Sequence, residues 1–306
     1  MIIYGSRGID MKLDLNCITC NIKQAIKIME LFEVDRTKKE EMMREVLEYL
    51  SNADYTKCNP EIIAGTWDII LKYIENANPY ADIKQYYNME VLKMTEAIEN
   101  LIENSDDKFN TALKIAIAGN LIDFSATHKF DLEMLKEKII NIDTINLAID
   151  HSKELYECLK TAKSVMYLGD NCGEICLDKL FIKYIRNEFP NIKVYFGVRG
   201  KIIINDVTFD DALMVGMQEV ADVIENGDGS LGTVIERVSS EFKEKFYKAD
   251  VVIAKGQGNY ESLSEIDKNN IFHLFMAKCE PVSNSLGVKS MSIVCVENKP
   301  LHLSIN

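Results

Sequence analysis

Val165-Met166-Tyr167-Leu168-Gly169-Asp170-Asn171-Cys172-Gly173-Glu174 decides how this chain is read. An apolar run ends abruptly on glycine and two polar side chains. A helical apolar pattern (Ile175, Leu180, Phe181, Tyr184, Ile185) begins directly behind them. A short apolar run bounded in this way reads as a strand buried on both faces, as in a parallel sheet covered by helices. The pattern recurs downstream. Lys193 to Val198, Val220 to Ile224, Asp250 to Ala254, Ile271 to Met276 and Ser290 to Val296 are strand candidates, with helical or turn-rich stretches between them. Buried strands alternating with helices predict a doubly wound, mostly parallel sheet.

Upstream of residue 164 no convincing strand is evident, and helical periodicity takes over. Ile22, Ala25, Ile26, Met29 and Phe32 follow the 3.6-residue period, as do Met43, Val46, Leu47 and Leu50. Thr37 with Glu40 reads as a capping box, and Asn59-Pro60 as an N-cap followed by a first-turn proline. Ile63, Trp67, Ile70 and Ile74 form another stripe, which Asn78-Pro79 ends. Further helical patterns run over 82–104, 107–126, 131–140 and 151–162. The fold class expected is α+α/β. A multihelical domain over 11–160 precedes a Rossmann-like, three-layer α/β/α domain over 161–306, and residues 1–10 form a disordered extension.

Composition narrows the function. The 306 residues are 47% hydrophobic and 27% charged, enough for a sizeable core and unlike a disordered, collagenous or disulfide-scaffold chain. A net charge of −13 with no run of Lys or Arg argues against nucleic acid as a partner. No apolar stretch reaches the roughly 18–20 residues that cross a bilayer, and the first ten residues lack a secretory pattern. Eight cysteines are too sparse for a disulfide framework, so reduced thiols in a cytoplasmic protein are expected.

Chemistry is expected just beyond the carboxyl ends of the strands. Asp170 and Asn171 stand at one such end, with a helix starting behind them. A carboxylate and an amide oxygen suit a hard cation such as Mg²⁺ or Mn²⁺, although either residue would also serve as a plain helix cap. Lys255-Gly256-Gln257-Gly258-Asn259 stands at another end. Its glycines allow close backbone approach and its lysine suits phosphate, but the spacing is neither a dinucleotide fingerprint nor a Walker loop. Between the two lies Asn205-Asp206-Val207-Thr208-Phe209-Asp210-Asp211-Ala212, opening a helix after Ile202-Ile203-Ile204. Arg199 follows the second strand candidate at the same edge, where it could meet a phosphate or form a structural ion pair.

Taken together these segments resemble the damage-control phosphatases, long known as domain of unknown function 89. The pattern is Gly-Asp-Asn-x-Gly-Glu, then Asn-Asp-Val-Thr-x-x-Asp-Ala, then Lys-Gly-x-Gly-Asn-x-Glu. The likeness extends to Ala118-Gly119-Asn120-Leu121-Ile122-Asp123-Phe124, Asn78-Pro79-Tyr80, Ala277-Lys278-Cys279 and Ser285-Leu286-Gly287-Val288. Cys17-x-x-Cys20 points to the cysteine-bearing, stand-alone prokaryotic branch; Cys172 departs from the alanine expected there. The resemblance implies a phosphatase of phosphorylated small metabolites that depends on a divalent ion (Mn, Mg, Co or Ni). It implies that Asp170, Asn171 and Asp206 hold the ion. Lys255, with Gly256, Gly258 and Asn259, would hold the transferred phosphate, and Asn120 and Asp123 would face the substrate. Attack by an activated water and attack by Asp170 both remain open.

Other features carry less. Cys17 and Cys20 have metal-ligand spacing, and Cys58 is a third candidate, but a structural zinc takes four ligands. They mark either a second metal or redox site or ordinary thiols. His128, His151, His273 and His302 show no metal spacing and read as structural or exposed. The rival enzyme class is an S-adenosylmethionine-dependent methyltransferase, whose glycine motif Tyr167-Leu168-Gly169-Asp170 loosely imitates. A non-catalytic metal or metabolite sensor is the third reading.

Overall fold

The computed structural model of the chain describes residues 11–76, 78–121 and 132–298. Eight helices occupy most of the first half: α1 (Leu15–Leu31), α2 (Arg36–Ser51), α3 (Asn59–Tyr73), α4 (Ala81–Leu92), α5 (Thr95–Glu103), α6 (Lys108–Ala118), α7 (Leu132–Ile140) and α8 (Ser152–Thr161). A two-residue strand, β1 (Ile149–Asp150), precedes α8. The second half alternates as expected: β2 (Ser164–Leu168), α9 (Glu174–Glu188), β3 (Lys193–Val198), α10 (Phe209–Met214), β4 (Asp222–Glu225), α11 (Ser240–Lys248), β5 (Val251–Lys255), α12 (Gly256–Leu263), β6 (Ile271–Ala277), α13 (Glu280–Leu286) and β7 (Ser292–Glu297).

The seven strands form one sheet in the order β1-β7-β6-β5-β2-β3-β4, parallel except where β7 runs against β6. The apolar run Val165 to Leu168 lies in β2, an interior strand between β5 and β3. Its side chains alternate between faces. Val165 and Tyr167 join a core with α6, α8 and α9, while Met166 and Leu168 pack against Phe242 and Phe246 of α11 and Leu263 of α12. Both faces are therefore covered, the three-layer α/β/α arrangement. Helices α1 to α3 build a separate apolar cluster around Met42, Trp67 and Ile70, and Ile203 and Ile204 from the loop after β3 insert into it. Among the described residues no helix is long and apolar enough to cross a membrane, and all eight cysteines are free.

Several local expectations are corrected. The N-cap of α2 is Asp35, whose carboxylate accepts the N–H groups of Thr37 and Lys38, so Thr37 is inside the helix rather than capping it. A carboxylate at that position is the stronger acceptor and also answers the helix dipole. Asn59 is the first residue of α3 and Cys58 leads into it. The 82–104 pattern is two helices, because the Thr95 hydroxyl donates to the Leu92 carbonyl and closes α4 there. α3 ends at Tyr73, before Asn78-Pro79 is reached. The strand expected over Val220 to Ile224 starts at Asp222, and β1 escaped notice because two residues carry no period. Residues 1–10, Asp123, His128 and His302 lie outside the described residues.

Candidate metal and phosphate site

The strand order reverses at β2. The chain proceeds from β2 to β3 and β4 on one side, then returns to lay β5 on the other. In open parallel sheets the ligand crevice lies at such a reversal, outside the carboxyl ends of the strands. The residues after β2 and the first turn of α12 after β5 stand side by side there. The loop after β3 completes the crevice. Val207 N donates to the Asp170 carbonyl at 2.9 Å and Cys172 N to the Asn205 carbonyl at 3.0 Å. Asn171 and Asp206 thereby pair as a short antiparallel bridge. Ile204, just before Asn205, has φ +44°. For a β-branched residue this is strained, a cost of about 1–3 kcal/mol that the packing of Ile203 and Ile204 into the helical cluster sustains.

Three carboxylates meet in this crevice. Asp170 and Asp206 are buried, and Glu174, from the first turn of α9, is wholly so. Burial, then the charges of Asp206 and Glu174, push the Asp170 carboxyl well above its usual range, with Lys278 and Arg199 acting the other way. Amides orient the group. Asn120 Nδ2 donates to Asp170 Oδ2 at 2.9 Å and to Glu174 Oε2 at 3.3 Å, and Asn171 Nδ2 donates to Asp170 Oδ2 at 2.6 Å. Asn205 Nδ2 donates to Asn171 Oδ1 at 2.8 Å. Gly256 has φ +79°, and a methyl group in place of its hydrogen would lie 1.9 Å from Asp170 Oδ2. Only glycine leaves room for the carboxylate here.

The donor set fits a hard divalent ion. Asp170, Asn171 and Asp206 offer only oxygen ligands, and their carboxylates crowd together out of water, where like charge is costly unless a cation is added. They line one cavity of about 650 Å³ with Gln257, Gly258 and Lys278.

Other expected residues take different places. The Lys255 ammonium does not line this cavity. It is fully buried beneath it, donating to the Ala116 carbonyl (2.8 Å), Asp178 Oδ1 (2.7 Å) and Glu174. Burial acts to lower its pKa, but Asp178 and Glu174 outweigh that and raise it, so the lysine stays charged. Burial also lifts Asp178 to about 7, against the pull of Lys255. Glu261, six residues on, accepts from Gln257. Residues 256–259 are not a free loop but the first turn of α12. Asn259 is a structural tie, donating to the Lys255 and Gly169 carbonyls and accepting from Thr233. Asn120 is buried and turned toward Asp170 and Glu174. Arg199 holds Asp206, Nε to Oδ2 at 2.7 Å, and lines a second cavity of about 410 Å³ with Lys84 and Asp211. Gly169 is required by packing, since a methyl group there would meet the Phe196 ring at 2.7 Å, which removes the glycine signal for a methyltransferase. Lys278 and Glu174 are the site residues that the sequence reading left unassigned. Both stood inside quoted motifs, but nothing in their spacing says that Lys278 faces the carboxylates.

The sequence model of the damage-control phosphatase ARMT1-like domain matches residues 13–294. The chain is 36% identical to damage-control phosphatase PH1575 of Pyrococcus horikoshii over 94% of its own length and 99% of that protein's. It is 30% identical to a damage-control phosphatase of Archaeoglobus fulgidus, covering 91% and 96% of the two chains. The crystal structure of the Pyrococcus horikoshii DUF89 family protein superimposes with a TM-score of 0.84 at 35% identity, over 94% of this chain and 100% of that one. A match over nearly the whole chain, with the oriented carboxylates at the strand reversal, makes this chain a member of the damage-control phosphatase ARMT1-like family.

Proposed function

We propose that this chain is a divalent-metal-dependent phosphatase that hydrolyses phosphate monoesters of small, damaged or sugar-type metabolites. One observation carries the reading: buried Asp170 and Asp206 converge with Asn171 on a cavity that also presents Lys278. Asp170, Asn171 and Asp206 would hold the ion. When bound it would polarise the phosphoryl group and offset its charge. The remaining work falls to the chain itself. Asn120 and Asn171 fix Asp170 through Oδ2, Arg199 fixes Asp206, and Gly256 lets the α12 backbone close on Asp170. Lys278 offers a cation to the phosphoryl oxygens, and the amino end of α12 at Gln257 and Gly258 favours an anion there. A cavity of this size suits a small metabolite.

The test is turnover of an aryl phosphate and a panel of sugar phosphates by chelator-treated protein, with Mg²⁺, Mn²⁺, Co²⁺ or Ni²⁺ restored singly. The reading expects no turnover without an ion and recovery with one. Full turnover after exhaustive chelation, with no metal detected, would overturn the ion requirement. Inactivity on every phosphate tried, with the ion bound, would favour the sensor reading.

A further inference from the structure

Another part of the cavity wall has a different chemistry. Cys17 and Cys20 lie three residues apart in α1, Cys58 leads into α3 and Cys279 leads into α13. The fold thus brings thiols from three separate parts of the chain around Glu261 of α12. Cys17, Cys20, Cys58 and Cys279 each lie within electrostatic range of that carboxyl, and Cys17 and Cys20 each lie within range of Cys279 as well. Gln257 binds the group together, Nε2 donating to Glu261 Oε1 at 2.7 Å and to Cys279 Sγ at 3.2 Å. Cys20, Glu261 and Cys279 face the same cavity as Asp170 and Asp206.

Neither ordinary use of cysteine explains the group. Burial holds Cys17 protonated up to about 12 and Cys58 up to about 11, so these are not activated nucleophiles. Thiols recruited only as small hydrophobes would not gather around a carboxyl group that burial itself raises to about 7. Mostly half-buried thiols gathered beside a carboxyl shed their protons readily when a cation replaces them. The sequence supplied two cysteines at ligand spacing and a third candidate; the fold supplies the fourth, Cys279, from the other half of the chain.

We propose that Cys17, Cys20, Cys58 and Cys279 form a thiolate site for a soft or borderline divalent cation of the zinc(II) class, with Glu261 beside it, separate from the oxygen site at Asp170 and Asp206. Among the described residues no three His, Cys, Asp or Glu side chains stand close enough to hold an ion as they are, so binding requires the thiol side chains to draw together from these positions. On binding, each S–H bond is replaced by a sulfur–metal bond and its proton passes to solvent. Four sulfurs match the ligand count of a structural zinc. The ion would clamp α1 and α3 to the α12–α13 edge of the sheet.

The test uses the full chain, reduced and stripped with a chelator, then titrated with Co²⁺. Expected are a thiolate-to-cobalt charge-transfer band in the near ultraviolet, its displacement by stoichiometric Zn²⁺, proton release, and protection of four thiols from a thiol reagent. The band should be lost in Cys17→Ser/Cys20→Ser and weakened in Cys279→Ser. The single change Cys20→Ser, at an exposed position, serves if the double variant does not fold. Asp206→Asn should keep the full band, which separates this site from the oxygen site. A cobalt spectrum without charge transfer, or thiols equally reactive with and without Zn²⁺, overturns the proposal.

Discussion

At Asp170 the buried carboxylate accepts two amide donors on a single oxygen, and its neighbour Asp206 is held by a buried arginine. Asp206→Asn keeps that shape while removing one charge. Turnover is expected to fall by about two orders of magnitude or more, with metal affinity lowered and the fold intact. A fully active Asp206→Asn enzyme would move the ion elsewhere. The two lysines of the site should part company. Lys255→Ala leaves Glu174 and Asp178 buried without their cation, a loss of about 3–5 kcal/mol in stability, read as a shifted denaturation midpoint. Lys278 is partly exposed on the cavity wall. Lys278→Ala should keep the midpoint within about 0.5 kcal/mol and lower turnover about 100-fold. Matched stability losses in both variants would contradict this division.

Among the elements, the joint between β5 and α12 carries the most constraint. Gly256→Ala adds a methyl group at positive φ, worth about 1–2 kcal/mol, and drives it into the Asp170 carboxylate. Metal affinity and turnover should therefore fall further than stability does, which calorimetric binding set beside thermal melts would show. The neighbouring strand β6 holds a pH-dependent element. His273 is buried, Nε2 is 2.9 Å from Asn298 Oδ1, and Nδ1 has no hydrogen-bond partner. Burial lowers its pKa to about 4, with Asn298 acting the other way. The folded-state value lies below the unfolded one of about 6.5. The neutral ring therefore stabilises the fold fully above pH 6.5, and that contribution is lost as pH falls from about 6.5 toward 4. The amount is on the order of 3 kcal/mol. His273→Gln should flatten this part of the stability–pH curve in denaturant titrations; an unchanged slope would assign it to other groups.

For the whole molecule, the sheet reversal at β2 gathers residues from the loops after three strands into one crevice, and Asn120, just after α6, reaches Asp170 from the helical half. An ion bound there stabilises the folded chain by mass action, by about 2.7 kcal/mol at 100 times its dissociation constant. Mn²⁺ should raise the melting temperature of wild type, and the increment should shrink in Asp206→Asn. The architecture was legible in the sequence because strands buried on both faces leave continuous apolar runs, and polar residues that interrupt them mark the sheet edge. Asp170 and Asn171 could be placed on that basis, whereas Asp206 was marked only by the family resemblance. Side-chain direction could not be read. Lys255 emerges where expected, but its ammonium turns down to Glu174 and Asp178, one helical turn apart on α9, a pairing that no local spacing announces. Arg199 and Asn120 were likewise found at the site, yet aimed at carboxylates and not into the cavity. Cys279 lies 221 residues beyond Cys58 and only the fold brings the two together.

The single tryptophan of the chain, Trp67, is buried against Tyr80, and its indole N–H donates to the Ile202 carbonyl at 3.0 Å. That carbonyl belongs to the strained loop that carries Asp206. The molecule thus contains its own fluorophore, hydrogen-bonded to the backbone four residues from a proposed ligand. Emission excited at the red edge of indole absorption should change in wavelength or intensity when a divalent ion is added. A stopped-flow trace would follow that loop in real time with no added label.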